Sequence, residues 1–490
     1  MCNTASEKTG LSEVFRGESM SRFLLPLGFS LAAAAIPLHS QTEAQPAAGP
    51  QATSEAEVAN LPLPTPQQLE WQDAEISMFY HFDLPVFTPG GRGNGMNWKQ
   101  CGHLDPNLFN PAKLDTDQWL EAAKALGAKH TVLVAKHCSG FALWQTDAYP
   151  YGLKQTKWRD GKGDILQDYV ASCRKAGIEP GIYVSWPANA HLGVDRGKVN
   201  FGKGGDAAKQ SAYVSAYTKL ITEAYGNYGP FREIWFDGSV PGIDQGGPDV
   251  AELLQRLQPK AVVFQGPTGS IRWVGNESGV APDPCWATTN GPGDHGAGTP
   301  HGKRWMPAEC DVPIRNHDWF WQPNAERKLY TLDQLMDMYY RSVGRNCNLL
   351  LNANIDRDGL VPEADMRRYR EFAAEIQRRF GRAVAETKGS GETVTLSLGQ
   401  PATIDHVIAM EDIRQGERVR KFVIEGQTES GWIQLSAAQC IGHKRIDRFP
   451  PVRVSAVRLR VTESVASPQI RRLAVFDVAG SPAVPPASGH

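Results

Sequence analysis

Three acids in this chain sit where an acid can do chemistry: Asp237, at the end of the apolar run EIWFDG, and Glu309 with Asp311 in RWMPAECDV. Ile234, Trp235 and Phe236 suit a β-strand and Gly238 permits a turn, so Asp237 falls at a strand's carboxyl end with Trp235 beside it. A carboxylate placed there can attack an acetal carbon. It then needs a second carboxyl group about 5 to 5.5 Å away, to protonate the departing oxygen and afterwards activate water. Glu309 suits that second role, because apolar neighbours raise a carboxyl's proton affinity into the range of a general acid; Asp311 is the next choice. Plainer uses compete with these. Asp237 could cap a helix, and Glu309 or Asp311 could form a buried salt bridge with Arg304 or Arg315.

The partners of these acids lie at the ends of other strand-like runs. His81 closes ISMFYH, Lys136 and His137 close HTVLVAKH, and Tyr183, Ser185 and Trp186 close GIYVSW. A single histidine after an apolar strand is commonly a hydrogen-bonded core residue. Two on adjacent strands make a donor and acceptor pair suited to the vicinal hydroxyls of a sugar ring. Acids, imidazoles and aromatics converging on one rim compose a sugar-cleaving site, and the thirteen tryptophans add faces on which a pyranose can stack. A His-His-Asp metal site is the competing reading, but neither HExxH nor another metal-ligand spacing occurs. GxSxG is also absent, which weakens an esterase reading. No metal and no organic cofactor is expected.

Short β-rich runs alternate with helical periods from about Pro64 onward. In DTDQWLEAAKALGA a capping acid opens a helix, Trp119, Ala122, Ala123 and Leu126 share one face, and Gly127 ends it. DILQDYVASCRKAGI repeats the plan. Strands near residues 76, 131, 180, 233, 261, 271, 305 and 348 number eight, enough to close a (β/α)8 TIM-like barrel over residues 64–382. A doubly wound open sheet is the alternative, but no GxGxxG turn follows the first strand. After Phe380 short alternating runs such as TVTLSL, KFVIEGQ and AVRLRVTES predict an antiparallel β-sandwich over 383–480, and residues 481–490 form a tail.

At the other end, Met20-Ser-Arg22 leads into FLLPLGFSLAAAAIPL and then small and polar residues. Residues 1–40 thus read as an extension plus secretory signal with a start at Met20, and 41–63 as a linker. An uncleaved anchor is the alternative. After cleavage no stretch approaches a membrane span, and export to the periplasm or the exterior is expected. Eight cysteines form no CxxC pair, and losing Cys2 with the leader leaves an odd seven, so burial rather than a disulfide framework must supply stability. The formal charge of -2 provides no field for nucleic acid or an anionic membrane.

The order and wording of MFYHF, LFNPAKLDTDQWLEAAKALGAKHTVLVAKHCSGFALW, GIYVSW, IWFDG, PAECDVPIR and LLLNANIDRDG resemble the α-L-fucosidases of glycoside hydrolase family 29 over residues 71–380. The PAECDVPIRNHDWFW segment is most similar to the branch acting on α-1,3 and α-1,4 fucosyl linkages. The resemblance implies a retaining exo-glycosidase that removes terminal α-L-fucose from a fucosylated glycan through a covalent intermediate. It implies Asp237 as nucleophile and Glu309 as acid/base, with His81, His137, Trp98, Tyr183, Trp235 and Arg315 around the sugar. Two departures stand out: the family string KHHDGF is KHCSGF here, placing Cys138 where a sugar-binding histidine is expected, and HFD replaces HFG or HWG, introducing Asp83. Those departures leave room for a glycosidase of another neutral or deoxy sugar, or for a silent lectin. The C-terminal sandwich resembles discoidin-like domains and is expected to buttress the barrel, with weak carbohydrate binding as the alternative.

Overall fold

A computed structural model describes residues 61–91, 97–291 and 295–481. The expected leader, most of the linker and nearly all of the C-terminal tail lie outside the described residues. Among the described residues no helix is long and apolar enough to cross a membrane.

Eight parallel strands build the larger sheet: β1 (Ile76–His81), β2 (His130–Lys136), β3 (Glu179–Val184), β4 (Glu233–Trp235), β5 (Val262–Phe264), β6 (Arg272–Trp273), β7 (Ala308–Pro313) and β8 (Cys347–Asn354). They pair in the order β5-β4-β3-β2-β1-β8-β7-β6, and a parallel bridge from Phe264 to Ile271 joins the two edges. The sheet is therefore a barrel, as expected. Most strand residues are buried, since side chains fill the inside and helices cover the outside.

The helices are α1 (Pro66–Ala74), α2 (Thr116–Leu126), α3 (Ile165–Ala176), α4 (Ala207–Asn227), α5 (Val250–Leu257), α6 (Leu332–Arg341) and α7 (Glu363–Phe380). In α2 the Asp115 carboxylate accepts from the backbone N–H groups of Asp117 and Gln118, and Gly127 closes the helix at φ 82°. Asp164 and Gly177 do the same for α3. In α2 the face anticipated from the apolar spacing, Trp119, Ala122, Ala123 and Leu126, is buried.

The seventh strand departs from expectation. The run near residue 305 is two pieces: Arg304–Trp305 pairs with Thr288–Thr289 in a separate hairpin, and the barrel strand begins only at Ala308. Glu309 thus lies at the start of β7. At the amino-terminal end of the barrel α1 acts as a plug: Gln68 Nε2 donates to the carbonyls of Ser270 (2.7 Å) and Trp305 (3.0 Å), and Asn348 Nδ2 donates to the Trp71 carbonyl (2.6 Å).

The C-terminal strands are β9 (Ala385–Ser390), β10 (Thr393–Glu411), β11 (Val419–Thr428), β12 (Gly431–Ala438), β13 (Arg445–Ser464) and β14 (Gln469–Phe476). They form an antiparallel sandwich ordered β9-β14-β10-β13-β11-β12, with register shifts where the long strands bend. It has its own core around Ile404, Ile424, Leu459 and Val475, yet Ile408, Met410, Ile446 and Phe476 belong to the barrel's apolar cluster. Polar contacts seal the same interface. Tyr340 and His406 share a hydrogen bond of 2.8 Å, and the buried Glu417 carboxylate accepts from the Ala287 N–H (2.9 Å) and from Asn346 Nδ2 (2.5 Å). Truncation after Arg382 should therefore expose apolar surface on the barrel and leave the buried Ala287 N–H without its Glu417 acceptor. We expect the shortened chain to be insoluble or to melt far below the full chain by circular dichroism; equal melting temperatures would show that the sandwich gives no support.

Candidate active site

The carboxyl ends of the barrel strands carry a continuous arc of aromatic rings with an acid at each end. Asp237 follows β4, and its Oδ2 accepts from the Tyr183 hydroxyl at 2.9 Å. Tyr183 lies nearly parallel to His137, with centroids 5.5 Å apart and planes 10° apart. His137 meets His81 at 5.8 Å, and both imidazoles pack on Phe320 at 5.0 Å. His81 in turn packs on Trp319 at 5.0 Å, and the Trp319 Nε1–H donates to Glu277 Oε2 at 2.8 Å. Phe79 closes the floor, touching His81, Tyr183, Trp235 and Trp319.

Each member is placed by its strand. His81 is the last residue of β1, and its Nδ1 shares a 2.6 Å hydrogen bond with Asn352 Oδ1 of β8, which fixes the ring. Asn352 also donates to the Trp319 carbonyl at 2.9 Å, so one amide holds two neighbours of the arc. Asp237 and Glu277 are each half-buried, and each follows a short strand, β4 or β6. One carboxylate oxygen of each is held by an aromatic donor. A sugar enclosed by this arc would meet two imidazoles and two acids.

Glu277 was missed in the sequence although it carried a signal. RWVGNE repeats the pattern of EIWFDG, a short apolar strand followed by an acid within a glycine-containing turn. Two residues of strand are too few to show a period, so the acid did not stand out.

Glu309 is not at the mouth. It is the second residue of β7, fully buried, and its Oε2 accepts from Trp235 Nε1 at 2.9 Å across the barrel interior. Its neighbours are Glu233 and His130, the first residues of β4 and β2, with donor atoms of all three within 4.8 Å of one another. This is the amino-terminal end of the barrel, under α1, whose Trp71 Nε1 donates to Glu233 Oε2 at 2.8 Å. A proton donor must reach the departing oxygen, and a carboxyl group enclosed at the opposite end does not. The three side chains form a set that could ligate a metal; here the indole N–H groups of Trp71 and Trp235 donate to both Glu233 oxygens and to Glu309 Oε2.

Three other expected residues hold supporting positions. The Trp235 ring stacks on Phe264 with centroids 3.5 Å apart, and its N–H points down to Glu233 (2.7 Å) and Glu309, so it props the floor under Tyr183. Arg315 is fully buried and pairs with Asp365 of α7, its Nη2 donating to Oδ1 at 2.9 Å; it ties β7's exit to that helix. Trp98 stands half-exposed, near Phe201 and beneath Lys99, which is paired with Asp195 at 2.8 Å. Cys138 is buried beside His137, its carbonyl accepting from the Ala190 N–H. Asp83 is also buried: its Oδ1 accepts from the Ser139 hydroxyl and the Leu84 N–H, both at 2.8 Å. The unusual residues of HFD and KHCSGF thus meet one another in space.

Burial shifts the inner acids toward the neutral form. Enclosure first, then the charge of Glu233, raise Glu309 well above the ordinary glutamate range. Enclosure, with Glu277 nearby, does the same for Asp311, whose Oδ1 accepts from Trp273 Nε1 at 2.7 Å. Neither inner acid has exposed surface.

Residues 70–378 match the Alpha-L-fucosidase family. Alpha-L-fucosidase 1 of Arabidopsis thaliana is 31% identical over 470 residues, covering 85% of this chain and 88% of the relative. A solved chain from Bacteroides thetaiotaomicron is 40% identical with a TM-score of 0.80, covering 85% of this chain and 99% of its own length. A glycoside hydrolase 29 family member from a rumen bacterium is 30% identical with a TM-score of 0.75, covering 87% and 79%.

The protonated state of Glu309 has a measurable consequence. Its folded-state proton affinity exceeds that of the unfolded chain, so the folded chain holds the extra proton between the two values and stability falls as pH rises through that window. Glu309→Gln keeps the neutral shape and removes this dependence. We expect the variant to gain melting temperature relative to the parent at pH 8 and to match it near pH 4. A variant less stable at pH 8 would mean that Glu309 is ionised and paired.

Proposed function

The chain belongs to the α-L-fucosidases of glycoside hydrolase family 29, and from that premise we propose that Asp237 and Glu277 carry out a retaining double displacement on terminal α-L-fucosides. The observation that carries this reading is the arc itself, with one acid at each end and each acid held through one oxygen by a ring of the same pocket.

In the first step an Asp237 oxygen attacks the anomeric carbon. The bond to the departing glycan oxygen breaks, and Glu277 gives that oxygen its proton. The Tyr183 hydroxyl donates to Oδ2 and so fixes the carboxylate while leaving Oδ1 for attack. In the second step Glu277, now a carboxylate, takes a proton from water, whose oxygen attacks the same carbon as the bond to Asp237 breaks. Trp319 holds Glu277 Oε2, which leaves Oε1 to carry the proton in both steps. His81 and His137 lie between the acids and serve the ring hydroxyls, and Cys138 stands behind His137. Glu309, the acid/base by resemblance, is replaced in that role by Glu277.

The PAECDVPIRNHDWFW segment supports α-1,3 and α-1,4 linkages as the substrates, and the leader-like start supports an enzyme exported to the periplasm or beyond.

A panel of aryl glycosides should show release from the α-L-fucoside and none from galactosides or xylosides. Asp237→Gly should lose hydrolysis, and azide should restore turnover with formation of β-fucosyl azide. Glu277→Ala should slow cleavage of a fucosylated oligosaccharide by about 10²- to 10⁴-fold, and much less for an aryl fucoside whose leaving group needs no proton. Glu309→Gln should turn over normally. An inactive Glu309→Gln beside an active Glu277→Ala would reverse the assignment.

A further inference from the structure

Lys136 ends β2 immediately before His137, and its side chain is wholly buried. A buried ammonium is costly unless its donors are used. Here Nζ donates to the carbonyls of Ser185 and Ala188, both at 2.7 Å. Those carbonyls flank the turn by which the chain leaves β3, where ladder pairing has ended; between them the Trp186 carbonyl accepts from the Tyr213 hydroxyl and the Pro187 carbonyl from the Gly197 N–H at 2.8 Å, so Lys136 supplies the charged donor at both edges of the turn. Pro187 sits inside that turn. It also lies against Gly238, so close that a Cβ at Gly238 would come within 3.0 Å of the proline Cγ. Gly238 has a left-handed φ of 69° and directly follows Asp237. The contacts therefore run from Lys136, through the 185–188 turn and Pro187, to the backbone that presents Asp237.

The charge that accompanies Lys136 is Asp83, from the turn after β1. Enclosure lowers the Lys136 ammonium to about 7, and the Asp83 carboxylate opposes that shift. Asp83 is held in place by the Leu84 N–H and the Ser139 hydroxyl. The tyrosines of the loop after β2 that sense the same carboxylate, Tyr149 and Tyr151, direct their hydroxyls to the carbonyls of Gly140 and Cys101.

We propose that Lys136, with the Asp83 carboxylate near it, is a positioning residue for the nucleophile: it clamps the turn after β3 that braces the backbone of Asp237. The proposal rests on Asp237 being the nucleophile. With no exposed surface, Lys136 acts through that turn and not on the sugar.

Lys136→Met keeps the bulk and removes the donors. A nucleophile displaced by a fraction of an ångström loses rate more than affinity, so kcat for an aryl fucoside should fall by about 10- to 100-fold with KM within about 3-fold of the parent. In the Asp237→Gly background azide supplies the nucleophile, and adding Lys136→Met should leave the azide-restored rate within about 3-fold, because effects that share one route are not additive. A second variant pair covers a Lys136→Met chain that fails to fold. Asp83→Ser removes the charge, and adding Ser139→Asp returns a carboxylate to a position whose hydroxyl now lies 2.8 Å from Asp83 Oδ1. Asp83→Ser should lose about 10-fold in kcat, and the exchanged pair should recover to within about 3-fold of the parent.

The proposal is overturned if folded Lys136→Met turns over at the parent rate. It is equally overturned if the exchanged pair is as slow as Asp83→Ser, or if Lys136→Met slows azide-restored turnover as much as it slows the parent. Failure of the nucleophile assignment would look different, since Asp237→Gly would then remain active without azide.

Discussion

The interior of a closed parallel barrel is packed with side chains, so an acid that points inward takes its hydrogen-bond donors from the side chains around it. In this chain the donors are mostly indoles. Trp71 and Trp235 donate to Glu233, Trp235 also to Glu309, Trp273 to Asp311, and Trp319 to Glu277. An indole N–H is a single donor on a large apolar body, so it satisfies one carboxylate oxygen while filling the volume a closed core demands. The acids thereby separate by height. At the amino-terminal end burial favours the neutral form of Glu309 beside Glu233, and at the mouth Asp237 and Glu277, the acids proposed to react, each have one oxygen held by a ring.

That height is what the sequence conveys least well. The caps and stops of α2 and α3, and Asp237 after Ile234-Trp235-Phe236, are local features that could be read directly. Glu309 reads as a mouth residue in the sequence because Trp305 and Ala308 look like one strand, whereas a hairpin ends at the first and the barrel strand opens at the second. A three-residue shift of a boundary moves an acid from one end of a barrel to the other. The locking of Arg315 depends on Asp365, fifty residues later on α7, a pairing that no local spacing announces. Glu277 required knowing that a two-residue strand completes the barrel.

The barrel's weak side explains the C-terminal sandwich. Between β5 and β6 the connection is too short for a helix, and the route from β6 to β7 carries a hairpin instead, so the usual covering helices are missing there. Leu69 of α1, Trp305 and Ala287 of the hairpin segment, and Ile413 of the sandwich pack together over this gap. Burying Glu417 beside them is tolerated because Ala287 and Asn346 supply its donors. The sandwich thus does the work of the absent helices, next to the strand whose exit loop presents Glu277.

The same economy of supports links recognition with reaction at the mouth. Asn352 orients His81 and also holds the Trp319 backbone, while Trp319 holds Glu277; on the other side His137 stacks on Tyr183, which holds Asp237. No acid is positioned independently of an imidazole that would grip the sugar. A ring pressed against His81 and His137 is therefore referenced to both acids through rigid aromatic contacts, and closely packed interiors transmit small displacements instead of absorbing them. In the proposed reaction, orientation of the anomeric carbon and orientation of the two acids would become one constraint, which is how positioning lowers a barrier without any further contact to the reacting atoms.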